Sequence, residues 1–276
     1  MSAPTTRVSQ DILRLARKGR IVFTVSSYTV LAPFGYVLFA LTYALWRGDE
    51  LLQMRRMQAL TAAAYRFMHR WLHLARITRF DVATKLEHLP EGACVVVANH
   101  PTLMDVTSII GLLNGACTVA KPGLYQRRLL RGVLHGSGVI EGAGDNPMGS
   151  GRVMDEAVER LGQGFSMVIF PEGTRSPRDK LLPFGRAAFE MACRAKVPVV
   201  SVAITCEPVW LSKEQPLFDP PMQTPRLTLA TLAIDDPARV DYDSRRLCQV
   251  VEGRYQQWFL GQGAQEPSTV APKDTR

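Results

Sequence analysis

Residues 21 to 46, IVFTVSSYTVLAPFGYVLFALTYALW, are twenty-six residues without a charged side chain. That exceeds the roughly 20 residues that cross a bilayer as a helix. The run is too long for the apolar region of a cleaved secretion signal, and no small-residue cleavage site closes it. A buried helix of a soluble core rarely runs this far without a polar face. The chain must therefore supply this segment with a membrane or with an unusually wide apolar partner.

The flanks restrict the topology. Residues 1 to 20 carry Arg7, Arg14, Arg17, Lys18 and Arg20 against Asp11 alone. Residues 47 to 80 carry seven arginines, including Arg55, Arg66 and Arg76, against Asp49 and Glu50. Basic flanks favour the cytoplasmic side, and here both flanks are basic. A single straight span satisfies only one of them. Pro33 and Gly35 fall mid-segment, where a bend can form. The expectation is a re-entrant or in-plane helical hairpin within 21–46 rather than a simple span. The next segment, TAAAYRFMHRWLHLARITRF, reads as a helix. Arg66, His69, Arg70 and His73 fall on one face and Phe67, Trp71 and Leu74 on another. Such a helix suits an anionic membrane surface, or a solvated face on a helix docked to its own domain. His69 and His73 are four apart, but no carboxylate or cysteine stands at helical spacing beside them, so no metal is expected.

After Asp81 the pattern changes. Short β-rich runs at 94–99, 117–120, 137–140, 166–170, 197–205 and 226–234 alternate with helical stretches near 103–113, 126–135, 149–162, 184–196 and 241–259. This alternation predicts an α/β fold, a mostly parallel sheet flanked by helices, preceded by an N-terminal membrane-associated helical segment. The division follows: a membrane-embedding helical region at 1–80, an α/β domain at 81–262, and a polar, Pro/Gly-rich disordered tail at 263–276. The formal charge of +8 fits an anionic partner. Much of the excess lies beside the apolar segment and no nucleic-acid motif is present, so membrane lipids are expected and nucleic acid is not. The five cysteines are scattered, odd in number and never in CxxC spacing, which reads as buried thiols in a reducing compartment.

In open α/β sheets ligands bind outside the carboxyl ends of the strands. Two unusual clusters lie there. In VVVANHPTLMD a strand leads into a turn and a helix. Pro101 suits the helix's first turn, and Asp105 lies about one turn in, able to curl back to His100. A carboxylate accepting from one imidazole nitrogen leaves the other as a proton acceptor. The pair resembles a serine hydrolase triad without its serine, so the nucleophile would be a substrate hydroxyl. Ser137 and Ser150 are the nearest alternatives, and neither lies in G-x-S-x-G. The competing reading of His100 is a helix-capping structural histidine. The second cluster is FPEGTRS. Glu172, Thr174, Arg175 and Ser176, with a turn at Gly173, suit a polyol and a phosphate held together. Arg178, Lys180 and Arg186 add charge nearby.

NHPTLMD resembles the N-H-x4-D motif of the glycerolipid acyltransferases, the 1-acylglycerol-3-phosphate acyltransferase family. FPEGTRS is similar to that family's E-G-T-R-S motif, and VPVVSVAI to its fourth block. The blocks span 99–204 and the resemblance plausibly covers 80–240. It implies that His100 deprotonates a lysolipid hydroxyl, with Asp105 orienting it, and that the oxygen attacks the thioester of acyl-CoA or acyl-carrier protein. Glu172, Gly173, Thr174 and Arg175 would bind the acceptor. No metal or cofactor is implied beyond the co-substrate thioester. The implied location is the cytoplasmic face of a cell (inner) membrane. One block departs: GVIEGAGDN places Glu141 and Gly142 where the family's pattern leads to an aspartate or arginine. A carboxylate there repels a phosphate monoester, which keeps headgroup-bearing lysophospholipids, amino-acid lipids and secondary-metabolite alcohols open as acceptors beside lysophosphatidate. A lipid hydrolase and a membrane-anchored lipid-binding protein are the rival readings. Acyl chain length and oligomeric state are left open.

Overall fold

The computed structural model describes residues 5–45, 48–80, 89–144, 147–177, 180–215, 217–218 and 220–263. The expected boundary at 80/81, Arg178, and the expected tail beyond Gly263 lie outside them.

Two long helices open the chain, α1 (Thr5–Leu45) and α2 (Glu50–Leu74). Seven strands follow in sequence: β1 (Arg79–Phe80), β2 (Val95–Ala98), β3 (Cys117–Ala120), β4 (Ile140–Glu141), β5 (Met167–Ile169), β6 (Val199–Glu207) and β7 (Arg226–Asp235). Between them run α3 (Asp105–Leu112), α4 (Pro122–Tyr125), α5 (Arg128–Gly136), α6 (Pro147–Gly162) and α7 (Ala187–Ala195), and α8 (Ser244–Gly263) closes the described chain. The sheet order is β1-β7-β6-β2-β5-β3-β4. All neighbours are parallel except β6 and β7, so β7 and β1 run against the other five. This is the expected α/β class with a mostly parallel sheet. β1 and α4 escaped the sequence because each is too short to show a period.

β2 sits at the centre, and every residue of it is buried. Its alternate side chains feed two cores, as a pleated strand must. Val95 and Val97 face α6, α7 and α8, joining Ala157, Phe189 and Tyr255. Val96 and Ala98 face the other layer, joining Ile109 of α3, Leu72 of α2 and Ile21 of α1. The N-terminal helices thus share the domain's core.

The expected bend at Pro33 and Gly35 is corrected: α1 runs unbroken through both, and the hairpin is the one that α1 makes with α2. Tyr28 donates to the Met68 carbonyl on one side of Pro33, and Gln53 donates to the Tyr43 carbonyl on the other. Pinned on both sides, the helix continues past the one bond that proline deletes. The basic-face reading of α2 is corrected too. His69 is buried, its Nε2 3.1 Å from Thr107 Oγ1, and Arg66 donates to the Gly111 carbonyl of α3. The Arg66 and His69 part of that face docks on the domain, while Arg70 and His73 are exposed, as are Phe67 and Leu74.

Candidate active site

β2 ends at Ala98, and the chain then needs a device to hold its next residues against β6. Asn99 supplies it. Its side-chain amide donates to the Ile204 carbonyl at 2.9 Å and its oxygen accepts the Ile204 N–H at 2.7 Å, extending the β2–β6 ladder. His100 follows at the carboxyl edge of the sheet. Its ring stacks on Phe170 with centroids 4.2 Å apart.

Helix α3 begins at Asp105 itself, not at Pro101 as the sequence suggested. Residues 101–104 form a turn instead, and Asp105 closes it. One carboxylate oxygen, Oδ2, accepts from Thr102 N–H at 2.7 Å and lies 2.8 Å from His100 Nδ1. The other accepts from the Thr102 hydroxyl at 2.6 Å. Asp105 is fully buried and His100 is 16% exposed. Burial pushes the Asp105 carboxyl above its ordinary value, while the bonds from His100 and Thr102 pull it down. Its place in the first turn of α3 favours the anion as well. With Nδ1–H committed to Asp105, Nε2 is the acceptor nitrogen, and it has no partner among the described residues.

The FPEGTRS loop, leaving β5, forms the other wall. Gly173 takes φ +69°, a left-handed value that favours glycine, and its N–H donates to the Phe170 carbonyl. Ser176 brackets His100: its N–H donates to the His100 carbonyl at 2.8 Å, and its hydroxyl accepts the His100 N–H at 3.0 Å. That hydroxyl donates in turn to Glu172. The Glu172 carboxylate is buried and also accepts the Leu182 N–H at 2.9 Å. Thus Glu172 faces its own chain, Gly173 is exposed, and Thr174 and Arg175 are half-buried. Arg175 Nη1 donates to the carbonyls of Leu211 and Ser212, at 3.0 and 2.9 Å. The Leu211 carbonyl also accepts the Leu103 N–H, so both motifs meet on one loop.

A model of the family described as Acyltransferase matches residues 81–205. Curated proteins are similar over part of the chain. A chloroplastic 1-acyl-sn-glycerol-3-phosphate acyltransferase of Brassica napus is 30% identical over 121 residues, 43% of this chain and 35% of that protein. The human beta form is 28% identical over 170 residues, 59% of this chain and 61% of that protein. The chain therefore spans between about a third and three fifths of these two relatives' lengths. The fold matches the crystal structure of the 1-acyl-sn-glycerophosphate acyltransferase PlsC from Thermotoga maritima. That match has a TM-score of 0.70 at 22% identity, covering 93% of this chain and 98% of that one. Residues 81–205 thus match an acyltransferase family model, and the chain shares the PlsC fold.

The described hydroxyls that adjoin His100 and Asp105 are already bonded. The hydroxyls of Thr102 and Ser176 are engaged as described. Ser137 is buried against Thr61 of α2, 2.8 Å away. Ser150 lies on α6. Glu141 ends β4, at the sheet edge and three strands from β2. Three strand spacings are about 14 Å. Arg152 donates to its carbonyl and to Glu156. Lys121, exposed at the carboxyl end of β3, adds positive charge on the catalytic side. Sequence reasoning missed the parts played by Thr102 and Phe170, and named Asn99 without its role. Thr102 had a signal: a hydroxyl three residues before a helix-opening carboxylate is a turn-and-cap pattern. All five cysteines are buried and unpaired, in line with their reading as small apolar residues.

Proposed function

We propose that this protein is a membrane-bound O-acyltransferase that moves a fatty acyl group from acyl-CoA or acyl-carrier protein to the hydroxyl of lysophosphatidate. The carrying observation is a buried carboxylate holding Nδ1 of a part-exposed histidine whose Nε2 is open among the described residues, with the adjoining hydroxyls of Thr102 and Ser176 already engaged. Such a base acts on a hydroxyl that arrives with the substrate. His100 Nε2 takes the acceptor's proton as its oxygen bonds to the thioester carbonyl carbon. The carbon–sulfur bond then breaks, and the imidazolium returns the proton to the departing thiolate. Asp105 stabilises the imidazolium throughout.

Lysophosphatidate is favoured over headgroup-bearing acceptors by two observations. The relatives are named for that acceptor's reaction. Glu141 stands about 14 Å from β2 by strand spacing, beyond a phosphate a few bonds from the reacting hydroxyl. Arg175, with its guanidinium anchored through Nη1, and the exposed Gly173–Thr174 backbone are the proposed phosphate contacts. Glu172 acts by shaping that loop.

Membrane attachment is assigned to α1. Among the described residues it is the one helix long and apolar enough to cross a bilayer. Val30, Phe34, Val37, Leu38, Leu41 and Leu45 are all exposed and recur at three- and four-residue spacing along one side. Because α1 lies antiparallel along α2, and α2 is docked on the domain, this stripe inserts in the membrane plane. The catalytic edge then opens at the cytoplasmic surface. Purified protein in liposomes, given labelled acyl-CoA and a panel of lysolipids, tests the proposal. Transfer to lysophosphatidate that disappears in His100→Ala supports it. Transfer only to headgroup-bearing lysolipids overturns the acceptor, and release of free fatty acid without transfer overturns the reaction.

A further inference from the structure

Phe170 follows β5 at the carboxyl edge of the sheet. β5 pairs with β2 so that Ile169 lies opposite Val97. Continuing that register sets Phe170 beside Ala98, two residues before His100. Strand side chains alternate in face, so Phe170 shares the face of Val168. Val168, Val96 and Ala98 belong to the core under α2 and α3, and Phe170 packs against that same core. Its carbonyl accepts the Gly173 N–H, which fixes its backbone at the turn. The register thus delivers a phenyl ring to the face of the His100 imidazole. The ring centroids are 4.2 Å apart and the planes are inclined by 29°.

His100 does not stay neutral in the proposed reaction. As the acceptor's O–H bond breaks and its oxygen bonds to the thioester carbon, Nε2 gains the proton and the imidazole becomes a cation. The thioester carbonyl oxygen takes the matching negative charge. Asp105 meets the cation at the ring edge, 2.8 Å from Nδ1. The ring face belongs to Phe170, the one aromatic ring stacked on it among the described residues. The face of a phenyl ring carries partial negative charge and attracts a cation within about 6 Å of its centroid. A neutral imidazole feels that attraction far less. The contact therefore strengthens as the proton arrives, which is the condition for an interaction to speed a chemical step. The His100 side chain is 16% exposed, so most of this contact lies out of water, where such an attraction is strongest.

We propose that Phe170 is a positioning residue of the proton transfer, whose ring face stabilises the His100 imidazolium as the acyl group moves. The proposal rests on the acyl-transfer reading of this site. The test uses the full chain in liposomes, in excess over a labelled acyl thioester that the wild type accepts, so that a single turnover is timed. Phenylalanine at 170 is replaced by its mono-, di- and trifluorinated forms, and separately by leucine. Fluorine changes the ring's shape little but withdraws charge from its face. The rate should fall stepwise with each added fluorine. The trifluoro form should approach Phe170→Leu, which loses roughly 3- to 30-fold. KM for both substrates should hold, because the imidazole is neutral while they bind. Melting transitions of the fluorinated proteins should match the wild type.

A flat fluorine series overturns the proposal. If Phe170→Leu is slow beside that flat series, the ring serves by shape alone; if it too is fast, the ring has no part in the step. A series in which KM rises as the rate falls also overturns it, because the face then acts on bound substrate rather than on the proton transfer. Each of these results leaves acyl transfer by His100 standing. Wild-type protein whose transfer survives His100→Ala overturns that reaction and this proposal together.

Discussion

Asp105→Asn separates two roles that the carboxylate combines. Its Oδ2 receives two N–H groups, from His100 and Thr102, and its Oδ1 receives the Thr102 hydroxyl. Asparagine has one oxygen for these positions. With that oxygen in the Oδ2 place, both N–H bonds survive, and the new NH₂ meets a hydroxyl that can rotate from donor to acceptor. In the opposite orientation the NH₂ faces the fixed Thr102 N–H, and an unpaired buried donor costs about 1–3 kcal/mol. The structure therefore selects the orientation that keeps the imidazole tautomer. What is lost is the charge. A hydrogen bond to a charged group contributes about 1.5–3 kcal/mol. Transfer should fall roughly 10- to 150-fold in kcat with KM little changed.

The assay is acyl transfer in liposomes across pH 5 to 9, beside a melting curve. A wrong tautomer costs about 10⁴ in a serine protease triad. A loss as complete as that of His100→Ala would refute the orientation argument. Activity within threefold of wild type would refute any role for the carboxylate's charge.

Further outcomes follow from neighbouring groups. Burial takes the His69 imidazole down to about 4 from an ordinary 6.5. The unfolded chain thus binds a proton that the folded chain refuses, so stability falls as pH drops from 6.5 towards 4, by about 3 kcal/mol at the acid end. Denaturant melts of His69→Gln over that range should show a correspondingly flatter slope, and an unchanged slope would locate the titration elsewhere. Ser176→Ala strips one donor from Glu172 and one acceptor from the His100 N–H; unfolding in urea should show a loss of about 1–3 kcal/mol, with a fall in kcat that added lysolipid does not restore. Arg175→Ala frees the Leu211 and Ser212 carbonyls as well as removing a proposed phosphate contact, so KM for the acceptor should rise at least tenfold and KM for the acyl donor much less.

The sheet was legible because buried parallel strands read as continuous apolar runs. VVVA, MVI and VVSVAIT announced β2, β5 and β6, and those three strands carry the site. The His100–Asp105 pairing was legible from a spacing of five across a strand-to-helix turn, even though the helix starts four residues later than expected. Less visible was the distinction between side chains that meet substrate and those that hold the loop. Glu172 and Arg175 are polar residues at a strand end, and composition treats both as available. Only the fold shows Glu172 turned inward to Ser176 and Leu182, and Arg175 clasping a loop some 36 residues further on. Likewise Pro33 reads as a breaker because sequence cannot show that its helix is pinned on both sides. His69 reads as part of a basic face because helical periodicity gives a direction without saying what lies there.

These contacts explain why two motifs some seventy residues apart act as one site. A proton acceptor with an open nitrogen is useful only if its ring is held while substrate comes and goes. The ring of His100 is fixed by Asp105 below and Phe170 beside it. Its backbone is fixed separately, the carbonyl by Ser176 N–H and the N–H by Ser176 Oγ. Neither motif alone supplies both constraints. Asn99 then ties the His100 turn to β6, whose exit leads to Leu211, where Arg175 and Leu103 share a carbonyl. The loop over residues 208–212 is therefore the common support of the catalytic turn and the proposed phosphate arginine.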